Sequence, residues 1–183
     1  MNSFNNRYHA VKVIPTLQAA ETEDGENLFL WTEIPNAIPR GAGGVSVLKS
    51  IQVLDLDNNL SASADIDLYF AQTKDADATV TGALGATSTI VNMTDAEVQT
   101  LKPLCYLLYD FSTQTNWNFT NGQSLSTASA PSKALNSYMY SFPTQDQIDA
   151  GTARPGSIYF MGVATATKTH TASGLEFTFI FEY

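Results

Sequence analysis

Alternation of apolar and polar residues is cleanest at the end of the chain. In residues 175–183, Leu175, Phe177, Phe179, Phe181 and Tyr183 fall on one side and Glu176, Thr178 and Glu182 mainly on the other. This is the period-two pattern of a strand with one face in a core. It predicts a structural strand whose removal unfolds the domain. Residues 65–71 repeat the pattern, with Ile66, Leu68 and Phe70 set against Asp65, Asp67 and Tyr69. Residues 45–54 are less regular: Val47, Ile51 and Val53 share one face and Leu48 and Leu54 the other, as in a central strand covered on both sides. A glycine-rich lead-in (Gly41-Ala42-Gly43-Gly44) precedes that strand and a polar turn (Asp55-Leu56-Asp57-Asn58-Asn59) follows it. Residues 45–54 and 65–71 are therefore expected to pair as a hairpin at the middle of a sheet.

Other apolar runs supply its neighbours. Residues 8–17 carry Val11, Val13 and Ile14 and are interrupted at Pro15, which suits an edge strand. Phe29 and Trp31 mark a short strand over 28–32, the segment 104–111 is strongly apolar, and 137–142 and 157–165 alternate. Trp31, Tyr138 and Tyr140 are read as core or inter-strand packing. Thr94 with Glu97 three residues on is a capping-box pattern for a short helix ended before Pro103, and 144–150 predicts a second one stopped by Gly151. About seven or eight strands with turns between them predict an all-β, antiparallel β-sandwich of jelly-roll type with one or two short helices. Residues 1–7 read as a polar N-terminal arm and residues 8–183 as one sandwich domain, with long loops near 74–89 and 112–132. Loops of that length usually have a task, which makes them the expected places of contact.

Composition narrows the function. Eighteen acidic residues against nine basic ones give a net charge of −9, and the basic residues are scattered singly. That field repels phosphate and offers no polybasic patch, so neither nucleic acid nor a membrane surface is an expected partner. The N-terminus lacks a signal-peptide core and no run approaches a membrane span, so synthesis in the cytoplasm is expected. Cys105 is the only cysteine and sits among apolar residues, the setting of a buried structural thiol.

Candidate chemistry is sparse. The stretch starting at Asp55 spaces oxygen ligands like a calcium loop, but Leu60 stands where an EF-hand needs glycine and Ile66 where it needs a bidentate glutamate. A looser calcium site at Asp55 and Asp57 is set against a solvated turn, which is the preferred reading. His9 and His170 have no metal-ligand spacing and no nucleophile elbow beside them. Asp65, Asp67 and Glu97 are the carboxylates that a glycosidase pair would draw on, against the plainer reading of solubilising acids. No catalytic, cofactor-binding or metal-binding residue is assigned, and no enzymatic activity is expected. Trp117 and Phe119, aromatic in a Ser/Thr/Asn setting, are the candidates for an interface or ligand contact, together with Asn5, Asn6 and Arg7 of the arm.

Four segments carry a resemblance: Ile34-Pro35-Asn36-Ala37-Ile38, residues 43–55, residues 65–70, and Thr171-Ala172-Ser173-Gly174-Leu175. Their order and content resemble small virion structural proteins of tailed bacteriophages. The resemblance implies a β-sandwich on the particle, a capsid decoration or cement protein that stabilises the head without catalysis. Its implied partners are the major capsid protein or another virion protein, and copies of itself in a homo-oligomer, for which a trimer matches a local threefold. Residues 74–154 depart from the pattern with longer loops, so a tail or neck position stays open. From a different class, a carbohydrate- or receptor-binding module would use Trp117 and Phe119 to stack on sugar rings.

Overall fold

The computed structural model describes residues 8–38, 44–56, 66–109, 115–118, 124–128 and 137–183. Its strands, in chain order, are β1 (Tyr8–Val13), β2 (Glu21–Thr22), β3 (Asn27–Ile34), β4 (Val45–Asp55), β5 (Ile66–Ala71), β6 (Pro103–Tyr109), β7 (Thr115–Asn118), β8 (Ser124–Ala128), β9 (Ser137–Tyr140), β10 (Ile158–Ala164), β11 (Lys168–Thr169) and β12 (Leu175–Glu182). They form an all-β arrangement of antiparallel sheets. The first sheet runs β1-β12-β4-β8-β7, with β9 also paired to β4, and the second runs β3-β10-β5-β6. β2 and β11 make a separate two-stranded ribbon.

The pairing is nested. β1 pairs with β12, β3 with β10, β4 with β8 and β9, and β5 with β6. The first half of the chain thus meets the second half from the outside in, and β12 is held between β1 and β4. Loss of β12 would strip both partners at once.

Alternation explains the core. Leu175, Phe177, Phe179 and Phe181 are fully buried on β12, as their spacing predicts, while Tyr183, past the end of the strand, is exposed. Phe177 stacks on Phe179, and from the other sheet Phe160 meets both edge-on at centroid distances of 5.2 and 4.8 Å. Phe29 and Phe70 add further contacts to Phe177 and Phe179. Each such ring withdrawn from water stabilises the sandwich by roughly 1.5–3 kcal/mol before entropy is subtracted.

Two expectations about the middle of the chain are corrected. β4 and β5 do not form a hairpin: β4 lies in the first sheet and β5 in the second. β4 is central, as expected, but its faces differ from the simple alternation. Its register against β12 shifts by one between Ser50↔Ile180 and Leu48↔Phe181. This bulge puts Leu48, Ile51 and Val53 together in the core and leaves Val47 half-buried on the other side. The second correction concerns residues 112–132, expected as a loop, which contain β7 and β8 paired to each other. Their Ser, Thr and Asn residues carry no apolar period to announce a strand. The glycine run at 41–43 and the turn beyond Leu56 lie outside the described residues.

Residues 74–89 are irregular, as predicted. Both helices also form where their caps predict: α1 (Asp95–Leu101) and α2 (Gln145–Asp149) each start from a threonine in a complete capping box. Lys102, at φ 51°, turns the chain left-handed to end α1 before Pro103, and Gly151, at φ 68°, follows α2.

Candidate functional site

The outer face of the second sheet is built in two parts, one roofed and one open. The roof is the segment between β5 and α1, which includes a short 3-10 turn (Ile90–Asn92). Ile90 and Met93 of this segment close over Met161 and Val163 of β10, together with Trp31 and Tyr69. The roof is tied down by two polar side chains. Asp75 accepts from the backbone N–H groups of Val80 and Thr81 at 2.8 and 3.1 Å and from the Thr81 hydroxyl. Asn27, buried on β3, donates from Nδ2 to the carbonyls of Thr81 and Ala83, both at 3.0 Å. Burial alone would raise the Asp75 pKa, but the hydrogen bonds outweigh it and hold the carboxyl below its usual range.

Trp31 reaches this face through a bulge. The register of β3 against β10 steps from Thr32↔Phe160 to Phe29↔Gly162, so Leu30 and Trp31 together oppose Met161. The extra residue reverses the alternation, leaving Phe29 in the inter-sheet core and Trp31 against the outer cluster. Reading Trp31 as packing is therefore right, on the opposite face from Phe29. Its indole Nε1 is buried and has no hydrogen-bond partner among the described residues.

The open part lies toward β6. A cleft of about 280 Å³ is lined mainly by apolar groups, among them Trp31, Tyr69, Met93, Leu101 and Tyr106. Tyr69 and Tyr106 face each other across β5 and β6 with ring centroids 5.0 Å apart, and the Tyr106 hydroxyl donates to Asp67 Oδ1 at 2.7 Å. Burial, reinforced by that bond and by the Asp67 charge, pushes the Tyr106 phenol up to about 12. Burial, with the Asp67 charge second, raises Tyr69 as well. Even so, Tyr106 is 51% exposed, and Leu108, opposite Asp67 in register, is exposed beside it.

The first sheet carries a second apolar surface. β4 and β9 pair Val45 with Tyr140 and Val47 with Tyr138, while Ser46, Leu48 and Met139 point to the buried side. Tyr138 is 69% exposed, Val45 and Phe142 are exposed, and the Tyr140 and Phe142 rings lie 5.8 Å apart. Tyr138 is thus surface rather than core, a correction that follows from its place on the outward parity of β9.

The residues named from sequence are scattered. Trp117 lies in β7, opposite Leu125 of β8 in register, and so belongs to a strand. Phe119 and the arm residues Asn5, Asn6 and Arg7 lie outside the described residues, as do Asp57 and Asp65. Asp55 is buried at the end of β4. His9 bonds the Asn36 carbonyl through Nε2 at 2.7 Å and stacks on Phe181, and His170 is buried just after β11. Cys105 is half-buried on β6, where burial pushes its thiol up to about 11 and makes it a poor nucleophile at neutral pH. Glu97 is engaged in its own helix cap and Asp67 with Tyr106. Among the described residues no group of three or more His, Cys, Asp or Glu side chains is placed to hold a metal ion. No described helix is long and apolar enough to cross a membrane. The Asp67–Tyr106 pair escaped the sequence reading because its members are 39 residues apart. Only the outward phase of Asp67 and Tyr69 on β5 hinted at it.

No family model, curated protein or solved structure matches the chain.

Proposed function

We propose that this chain is a non-enzymatic structural protein of a tailed-bacteriophage virion, a jelly-roll sandwich that decorates or cements the head. The observation that carries this reading is the nested strand order, β1-β12-β4 with β8 and β9 in one layer and β3-β10-β5-β6 in the other. Eight antiparallel strands wrapped as two Greek keys are the jelly-roll plan, which recurs in viral capsid and lectin domains. The resemblance of the scaffold segments to phage virion proteins points the same way. Architecture alone does not select a function. The outer faces favour assembly over lectin chemistry, because Tyr106 and Leu108 on one sheet and Val45 and Tyr138 on the other are exposed on strands, which suits dry protein contacts.

In this reading the partners are the major capsid protein and other copies of the chain, arranged as a trimer on a local threefold. Many modest contacts made at once across capsomer junctions raise the barrier to rupture by avidity. Titration of the purified protein onto capsid shells that lack it, followed by a heat challenge, tests the proposal. Saturable binding with a raised rupture temperature is expected. Shells that neither bind the protein nor gain resistance would refute the cementing role.

The lectin-type plan also keeps a second reading in view, a carbohydrate- or receptor-binding module. A glycan panel with Trp117→Ala as the control would then show saturable, Trp117-dependent binding.

A further inference from the structure

We propose that Tyr69, Tyr106 and Asp67 form a receptor for an arginine side chain of a partner protein. The inference rests on the geometry of the second sheet and holds whether or not the partner is a capsid protein. Asp67 accepts one hydrogen bond, from Tyr106, and none of the ion pairs among the described residues engages it. An ionised carboxylate has about four acceptor sites, so most of its capacity is unused by the described residues, beside the Tyr106 ring. A ring face next to a carboxylate offers a cation two attractions at once, the negative quadrupole of the phenol and the full charge of the acid.

The choice of arginine follows from shape. A guanidinium is flat, so it can lie on the exposed face of Tyr106 while its N–H groups reach the Asp67 oxygens, whereas a hydrated ammonium can do only one of these well. Its three-methylene stem is apolar, and the adjoining cleft of about 280 Å³ is lined by Trp31, Met93, Leu101 and the two tyrosines. The occupant belongs to a protein because the apolar surface continues past the receptor to exposed Leu108, two residues along the same face of β6. A free small cation would leave that surface wet. The charge balance agrees: at −9 overall, the chain favours a basic partner.

The test uses the full chain with ring-labelled tyrosine and two short peptides of otherwise identical sequence, Leu-Arg-Leu and Leu-citrulline-Leu, the second being uncharged but nearly isosteric. NMR titration is expected to move the Tyr69 and Tyr106 ring signals saturably with the arginine peptide, and about fivefold or more weakly with citrulline. Asp67→Asn keeps an acceptor for the Tyr106 hydroxyl and so should fold normally, with the thermal melt as the check. It is expected to reduce arginine-peptide affinity to that of the citrulline peptide. Equal shifts from both peptides, or undiminished binding by a folded Asp67→Asn protein, would overturn the proposal. Because no capsid enters this experiment, its failure leaves the particle reading standing, and failure of shell binding leaves the receptor standing.

Discussion

A methyl group placed on Gly162 would lie 2.3 Å from Cε1 of Phe29, inside the wall of the Phe29 ring. The two residues are opposed in register beside the β3 bulge, and the ring fills the space above the glycine. Gly162 is there for room, since its backbone needs no unusual φ. Gly162→Ala is therefore expected to destabilise the fold by roughly 1–3 kcal/mol through overpacking. Urea denaturation measures this, and a change within a few tenths of a kcal/mol would show that the Phe29 ring can move aside freely.

Stability should fall on the alkaline side. Burial, with the Glu33 charge second, pushes Tyr159 up to about 12, while Arg154 partly offsets it; burial takes Cys105 to about 11. Both groups are neutral in the folded protein where the unfolded chain would already ionise. Their contribution is complete below the ordinary values of 9.0 and 10.0 and is lost as pH rises from there through about 11 and 12. Thermal melts from pH 8 upward should show a progressive drop starting near pH 9, which Tyr159→Phe should lessen above pH 10.

Asp75 predicts the acid side. Its folded pKa is depressed below 3.8, so its contribution is present above the ordinary carboxylate range and disappears as pH falls through the depressed value. Asp75→Asn should loosen residues 74–89 first, because the bonds to Val80 and Thr81 hold that roof. Hydrogen exchange is expected to speed up at Val80 and Thr81 in the variant, with the β12 amides unchanged. Faster exchange at β12 as well would mean that the roof and the sandwich unfold together.

Tyr138 separates surface from core. Tyr138→Ser should change stability by no more than about 0.5 kcal/mol, as expected for an exposed site, and should weaken binding to capsid shells if the β4–β9 face is a contact. A large loss of stability would instead place Tyr138 in the packing.

The strands that could be read from the sequence are those whose alternation is unbroken. β12 and β5 keep strict period two, so Phe177, Phe179, Leu68 and Phe70 are where their spacing places them. β4 contains one register step and β3 two, and each extra residue exchanges the faces on either side of it. Val47 and Trp31 are misjudged or only half-explained for that reason. β7 and β8 are hidden because each carries a single large apolar residue, Trp117 and Leu125, and one such residue sets no period. The supposed β4–β5 hairpin shows the limit of reading neighbours as partners: sequential strands often pair, yet here the nested plan sends them to different layers. The Asp67–Tyr106 receptor needs the β5–β6 register before it exists at all.

The most direct test of the proposed virion role is quantitative mass spectrometry of purified infectious particles from cells that express this chain. The chain is expected in a fixed ratio to the major capsid protein, retained through density-gradient purification. Recovery of the chain only from the unassembled soluble fraction, with none on intact particles, would contradict it.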